Sequence, residues 1–237
     1  MKKLLKAISI LDIPAVTALL DEDPGLVSET DASGKNALHY TAEVDVTNKP
    51  ERAAAVLEIL KLLIERGGDI NATHQIKDGG EILEASPLWH AYVHGKHIEM
   101  VKFLLENGAR PDNCMFAAAW NDDVESAELF RTHGADVDAV AHDTTPFASA
   151  FLWKKFVAAE WFLANGANVD FTDKDGRTAL YHAIRKRFTP AQIEMLLKAG
   201  ADPQHADNQG VTPRQVAERN RDHAIVKLFE SAAPAKS

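Results

Sequence analysis

The sequence predicts an all-α protein, a solenoid of stacked helix-turn-helix units. Two signals that recur along the 237 residues lead to this prediction. A glycine with a small residue after it ends an apolar run at Gly67, Gly108, Gly134, Gly166 and Gly200, at intervals of 41, 26, 32 and 34 residues. A second signal opens a helix upstream of most of these glycines, and its spacing matches the first. Because a recurring period marks repeat architectures, we expect an array of similar small units.

The helix-opening signal combines residues that favour the first turn of a helix. A Ser or Thr hydroxyl caps the exposed N–H groups, and Pro already has the backbone angle that the first turn needs. The closing glycine accepts a left-handed conformation, which ends the second helix. Each unit is therefore predicted to be a helical hairpin. The opening segments are NALHYTA from Asn36, SPLWHAY from Ser86, TPFASAF from Thr145, TALYHAI from Thr178 and TPRQVAE from Thr212.

One such hairpin has more apolar residues than it can bury by itself. In the segment before Gly108, for example, Val101, Phe103, Leu104 and Leu105 are all apolar. Neighbouring units must stack to bury them, so the array is expected to fold only as an array.

The units resemble the ankyrin repeat, whose signature is a Thr-Pro-Leu-His-x-Ala helix start with a period near 33 residues. Residues Asp173 to Asp202, which contain Thr178-Ala179-Leu180-Tyr181-His182-Ala183, come close to a full repeat. The resemblance covers almost the entire chain and implies short β-hairpin fingers between the helix pairs. We expect a single ankyrin-repeat domain, 1–233, and a frayed tail, 234–237. Its units span about 1–30, 31–72, 73–112, 113–139, 140–172, 173–206 and 207–233.

Several units depart from the repeat pattern. The first carries Lys2, Lys3 and Lys6, as expected of a terminal unit whose outer face meets water. The second has extra residues near Asn48, which form either a tolerated surface insertion or a functional loop. The third has a long approach around Gly79, which predicts an elongated finger. The fourth has Asn113-Cys114-Met115-Phe116 in place of the usual turn, which predicts a shortened finger.

Composition and charge narrow the classes of partner. With 35 acidic and 26 basic residues the chain carries a formal charge of −9, which opposes binding to nucleic acid. No uninterrupted apolar run reaches the length of a membrane span, and the beginning of the chain lacks a signal-peptide cleavage site, so we expect no membrane insertion. The single cysteine, Cys114, excludes an intramolecular disulfide, and a cytoplasmic location fits best.

Residues that could carry chemistry are few. His90 and His94 form an i, i+4 pair close to His97, and Cys114 could in principle meet a histidine. The alternative hypothesis is therefore a small metal-dependent sensor or enzyme built on His90, His94, His97 or Cys114. Helical spacing alone is a weak metal motif, and cysteine in an apolar segment usually packs as a core residue. The leading interpretation is that the protein is not an enzyme and uses no cofactor.

The resemblance also implies a binding surface, because ankyrin repeats use the concave groove formed by the finger tips and the exposed ends of the first helices. The helix positions that this assigns are Val93 and His94, Trp120 and Asn121, Leu152 and Trp153, and Arg185 and Lys186. The finger positions are Ile82, Leu83, His142, Thr144, Lys174, Asp175, Arg177, Asn208 and Gln209. The predicted function is thus a non-catalytic module, expected to be monomeric, that binds another protein through this groove.

Two features of this surface suggest how a partner binds. Trp120 and Trp153 stand where a pure scaffold would have polar residues, so they are either partner anchors or structural, half-buried side chains. Basic residues are concentrated towards the end of the chain: residues 1–170 have a net charge of −12 and residues 171–231 one of +2. Arg185 and Lys186, with Lys174 and Arg177, favour a partner with an acidic segment, although an ordinary solvated face would explain the same charges.

Overall fold

The computed structural model describes residues 1–78, 81–111 and 113–231, so Gly79 itself and the predicted frayed tail, 234–237, lie outside these residues. The described chain is helical except for one pair of strands, which confirms the predicted all-α class. The first helices are α1 (Lys2–Ile10), α2 (Ile13–Glu22), α3 (Ala37–Ala42), α4 (Ala53–Glu65), α5 (Pro87–His90), α6 (Ile98–Glu106) and α7 (Cys114–Asn121). The others are α8 (Val124–Thr132), α9 (Pro146–Leu152), α10 (Phe156–Ala164), α11 (Ala179–Arg185), α12 (Pro190–Lys198), α13 (Pro213–Arg219) and α14 (His223–Ser231).

The chain forms two compact units. The N-terminal unit comprises Met1–Cys114 and Thr132–Ala135, and the C-terminal unit comprises Met115–Arg131 and Asp136–Ser237. The single domain and the seven boundaries proposed from the sequence stay predictions.

In the N-terminal unit, helices pair with their neighbours in sequence. α1 packs on α2 and on α3, and α3 packs on α4 and α5. Leu4, Leu38 and Leu60 are fully buried in this core. α5 continues into a π-helical turn, Ala91–Gly95, which packs against α6. Short 3-10 helices at Pro24–Val27 and Pro50–Arg52 complete this unit.

In the C-terminal unit, α9 packs on α10 and α11, and α11 packs on α12 and α13. α14 completes the unit by packing against α12 and α13. Phe147, Phe151 and Phe162 are fully buried here. α9 and α11 therefore each contact their own second helix and the first helix of the next pair, as stacking requires.

The local signals in the sequence act as predicted. The side chains of Thr145, Thr178 and Thr212 accept hydrogen bonds from backbone N–H groups in the first turns of α9, α11 and α13. The recurring glycines after the second helices all have φ between 87° and 96°, the left-handed conformation that ends the helix.

The connections between helix pairs are short, with one exception. In three of them an aspartate side chain, that of Asp31, Asp173 or Asp207, accepts hydrogen bonds from backbone N–H groups two and four residues later and so fixes a tight turn. The exception is an antiparallel hairpin of β1 (His74–Asp78) and β2 (Glu81–Ala85), in which Ile76 is opposite Leu83. It confirms the elongated finger of the third repeat.

Candidate functional site

Two large aromatic side chains lie exposed and in contact on the C-terminal unit. Trp120 stands near the end of α7, and Trp153 directly follows α9. Their ring centroids are 4.9 Å apart at an interplanar angle of 79°, the edge-to-face arrangement that aromatic pairs prefer. Trp120 is nevertheless 56% exposed and Trp153 41% exposed. Together they form the tryptophan pair, an apolar surface of which the described chain leaves about half exposed.

Neighbouring residues complete the surface around the pair. The ammonium group of Lys155 lies 6.0 Å from the centre of the Trp120 ring, at the outer limit of a cation–π contact. Asn121 is exposed beside Trp120, and Leu152 is half-buried beside Trp153. The structure thus brings together the positions assigned to the fourth and fifth repeats.

Two further predicted residues lie at the end of the next first helix. Arg185 is the last residue of α11, and Lys186 directly follows it, as Trp153 follows α9. Both side chains are exposed. Since α9 packs against α11, Trp153 and Lys186 occupy equivalent places in neighbouring helix pairs.

The predicted finger residues differ in their exposure to solvent and in their salt bridges. His142 and Lys174 are exposed, and Lys174 lies 3.8 Å from the carboxylate of Asp143. Arg177 is half-buried and forms salt bridges of 2.6 Å with Asp175 and 3.5 Å with Asp207. The backbone N–H of Val211 donates a hydrogen bond to Asp207, which lowers the pKa of that carboxyl group. Asp207 thus stays charged at neutral pH and keeps Arg177 in the finger.

The remaining assigned residues, Val93 and His94, belong to the N-terminal unit. They lie in the π-helical turn after α5, where Val93 is half-buried and His94 is exposed. The ring of His94 lies 5.2 Å from that of Trp89 and 5.3 Å from that of His90. Their role in binding stays a prediction.

Beneath this turn the structure shows a buried histidine cluster that sequence reasoning missed. His39, His74 and His90 are almost inaccessible to solvent, and their ring centroids are 5.1 to 5.6 Å apart. The sequence offered one signal for this cluster. His39 lies three residues after Asn36, which caps α3, and His90 lies four residues after Ser86, which caps the corresponding helix α5. His74, which opens β1, carries no such signal.

The geometry of the cluster indicates neutral imidazoles joined by a hydrogen bond. The Nε2 atoms of His74 and His90 are 2.8 Å apart, so one ring donates a proton to the other. The carboxylate of Glu43 lies 3.4 Å from Nδ1 of His90. Lys35 holds Glu43 in turn, at 2.6 Å. One proton therefore lies between the two Nε2 atoms, and protonation of both atoms would break this hydrogen bond.

Burial also lowers the pKa values of these histidines. Desolvation brings the pKa of His39 down to about 4, and protonation of the neighbouring His74 would oppose a charge on His39 further. For His90, desolvation and the Lys35 ammonium lower the pKa to about 2. Three ring nitrogens of the cluster, Nε2 of His39 and Nδ1 of His74 and His90, are buried without a well-oriented hydrogen bond, so positive charge is poorly accommodated here.

The alternative hypothesis, a small metal-dependent sensor or enzyme, depends on His90, His94, His97 and Cys114. His90 is turned towards His74, His94 packs on Trp89, and His97 precedes α6. Cys114 is fully buried at the start of α7. Among the described residues no group of three or more His, Cys, Asp or Glu side chains is arranged to hold a metal ion.

Comparison with known proteins identifies the family. A family model described as ankyrin repeats in three copies matches residues 51–141 and 148–235, well over half of the chain. The chain belongs to the ankyrin repeat family. Solved ankyrin structures show the same fold. The ankyrin repeat domain of Bcl-3 has a TM-score of 0.71 at 20% identity, and the alignment covers 96% of this chain and 97% of that one. For the human ASB11 ankyrin repeat domain the TM-score is 0.65 at 19% identity, with 99% of each chain covered.

Curated relatives are ankyrin repeat proteins of varied architecture. The mask-1 protein of Caenorhabditis elegans, named for ankyrin repeats and a KH domain, is 29% identical over 191 residues, which are 75% of this chain and 7% of that protein. The ankyrin repeat protein FPV031 of fowlpox virus is 26% identical over 179 residues, which are 74% of this chain and 44% of that protein. The chain thus spans less than half the length of either relative. Ankyrin repeats are generally non-enzymatic modules for protein–protein interaction. In the described part of the chain no helix is long and apolar enough to cross a membrane.

Proposed function

We propose that this chain is a non-catalytic module that binds a partner protein through its repeat groove, with the tryptophan pair as the anchor. The contact surface on the C-terminal unit comprises Trp120, Asn121, Leu152, Trp153, Arg185 and Lys186, flanked by the finger residues His142, Lys174 and Arg177. Val93 and His94 are proposed to contribute from the N-terminal unit.

One observation carries this proposal: two tryptophans in contact with each other remain about half exposed. A structural tryptophan usually buries most of its ring system, whereas tryptophans that anchor partners are enriched among binding hot spots. The pair also has a fixed geometry before binding, because each ring packs on the other. Association with a partner therefore costs little free energy for ordering this surface.

The charges near the pair indicate the chemistry of the partner. Arg185 and Lys186 are exposed and lie one helix pair away from Trp153, so an acidic segment on the partner suits this surface. We further propose that the module acts as a monomer. We also propose a cytoplasmic location, since Cys114 is its one cysteine and the reducing cytoplasm keeps thiols reduced.

Replacement of either tryptophan by serine tests the proposal. We expect Trp120→Ser and Trp153→Ser each to weaken partner binding by about 2 kcal/mol or more, as for other hot-spot aromatics. Unfolding free energy should change little, because both rings are substantially exposed. Binding is measured by calorimetry with the partner captured from the native host, and stability by denaturant unfolding.

Trp161 provides the matched control. It lies on α10, half-buried against Phe162 at a ring distance of 5.1 Å. Trp161→Ser should lower stability and leave the intrinsic affinity unchanged. If instead the two exposed tryptophans cost about 3 kcal/mol of stability while binding stays intact, they are structural and the proposal is wrong.

A further inference from the structure

A row of basic side chains lies at the turns between the paired helices of the C-terminal unit. We call these residues the turn cations: Lys154 and Lys155 after α9, and Arg185, Lys186 and Arg187 at the end of α11. All are exposed except Lys155, which is half-buried. Neither 152–158 nor 183–189 contains an acidic residue, so the charge is not balanced within these turns.

Ring contacts show that the two turns are adjacent. The ammonium group of Lys154 lies 5.6 Å from the centre of the Phe188 ring, and Phe188 directly follows Arg187. The rings of Phe156 and Phe188 are 6.5 Å apart. The turn cations therefore form one continuous basic patch, and the tryptophan pair adjoins it through Trp153 and Lys155.

These cations differ from those of the fingers, because no salt bridge engages them within the described chain. Arg177 and Lys174 have carboxylate partners in the fingers, and Arg214 on α13 pairs with Glu218 of the same helix. The acidic residues of the preceding turn are also engaged: Asp122 accepts a hydrogen bond from the backbone N–H of Ala158, and Asp123 accepts one from that of Ser126. Among the basic residues of the proposed contact surface, those at the turns are therefore the ones that no carboxylate of the described chain pairs.

Helix packing sets the spacing between the apolar anchor and the charge. Trp153 and Lys186 directly follow α9 and α11, which pack against each other. Packed helices lie about 8–10 Å apart, and an extended chain advances about 3.3 Å per residue. A bound segment therefore needs about three residues to pass from Trp153 to Lys186.

We propose that this surface binds an extended acidic segment of a partner protein, in which an apolar or aromatic side chain lies about three residues from a cluster of Asp or Glu. The apolar side chain contacts the tryptophan pair, and the carboxylates face Lys155, Arg185 and Lys186. This inference rests on the proposed function, since it defines the partner segment for the same site.

The structure favours a peptide over other polyanions. The chain as a whole carries a charge of −9, which repels nucleic acid and anionic membranes away from the patch. Sites for single-stranded nucleic acid stack successive bases on separate aromatic faces, whereas Trp120 and Trp153 use one another as packing partners.

Synthetic peptides of about ten residues test the proposal, since these span roughly 33 Å when extended. One peptide has a Leu about three residues from a run of Glu. A second has the same composition with the Glu residues moved next to the Leu, and a third has Gln in place of Glu. We expect the first to bind the whole protein about tenfold or more tightly than the others, with an affinity that falls as salt is raised.

A charge-reversal variant tests whether the turn cations bind the carboxylates of the peptide. Lys155→Glu, Arg185→Glu and Lys186→Glu are combined, because these positions have ordinary backbone angles while Lys154 and Arg187 have positive φ. The control combines Arg131→Glu, Lys198→Glu and Lys227→Glu, which changes the net charge equally at exposed sites of the same unit outside the proposed surface. The first variant should lose about tenfold or more in peptide affinity, and the control should lose much less.

Three results would overturn the inference: no peptide binds at up to about 1 mM, both variants lose affinity equally, or anionic phosphatidylserine vesicles or an oligonucleotide bind the patch in preference to every peptide. The serine substitutions at the tryptophan pair separate this failure from failure of the proposed function. If they abolish binding of the captured partner while the charge variant does not, the module binds protein at the pair but not through an acidic segment.

Discussion

Replacing Gly95 with alanine is expected to lower the unfolding free energy by about 3 kcal/mol, at the upper end of overpacking effects. Gly95 is buried at the end of the π-helical turn, where an added Cβ atom would clash with the carbonyl oxygen of Ala42 and lie 2.9 Å from Cε of Met100. Ala42 is itself fully buried at the end of α3, so its backbone cannot yield without moving that helix. The gain of about 1 kcal/mol in helix propensity is too small to offset this clash.

Urea unfolding of the whole protein measures the effect, and Gly25 provides a control. Gly25 is exposed, and an added Cβ there would meet only the carboxylate of Asp23, at 3.1 Å. Gly25→Ala should therefore change stability by less than about 1 kcal/mol. Equal stability of the parent and the Gly95→Ala variant would show that α3 and the π-helical turn do not approach as closely as described.

Acidification from pH 7 to pH 5 is expected to lower the unfolding free energy by about 4 kcal/mol through the histidine cluster. In the folded state His39 and His90 have pKa values of about 4 and about 2, whereas an unfolded histidine titrates near 6.5. Because the folded pKa values are depressed, the stabilisation is present above pH 6.5. This stabilisation is lost as the pH falls, because the histidines of the unfolded chain become protonated while the buried histidines of the folded protein stay neutral. Each histidine contributes about 2 kcal/mol over this range.

Variants assign the effect to the cluster. His90→Gln should remove about half of the pH dependence, whereas substitution of the exposed His223 by Gln should leave it unchanged. Carboxylates with depressed pKa values, such as Asp173 and Asp207, lose their contribution only below about pH 4, outside this window. A stability profile that is flat between pH 7 and pH 5 would contradict burial of neutral histidines.

The features that the sequence predicted correctly depend on short stretches of chain. Thr145, Thr178 and Thr212 cap helices through backbone groups three residues away, and the glycine after each second helix adopts the left-handed conformation. Such geometry is set by residue type and its immediate neighbours. The repeat period then extends these local predictions to the whole fold.

The features that the sequence did not predict depend on contacts between side chains of different repeats. His39, His74 and His90 come together from α3, β1 and α5, and the repeat does not relate His74 to the other two. The sequence placed Trp120 and Trp153 on one side but did not predict their contact, which depends on the orientation of both rings. Likewise, Arg177 is held by Asp207 from the next finger, while Arg185 and Lys186 stay exposed. Only the structure distinguishes these basic residues.

Site-specific photocrosslinking tests most directly whether the tryptophan pair receives the partner. Benzoylphenylalanine is introduced at Trp153 in one protein and, as the control, at Lys198 in another, an exposed position on α12 of the same unit. Both proteins are irradiated with the captured partner, and the products are mapped by mass spectrometry. We predict a partner crosslink from position 153 and none from position 198. A crosslink from position 198 with none from position 153 would show that the partner binds elsewhere.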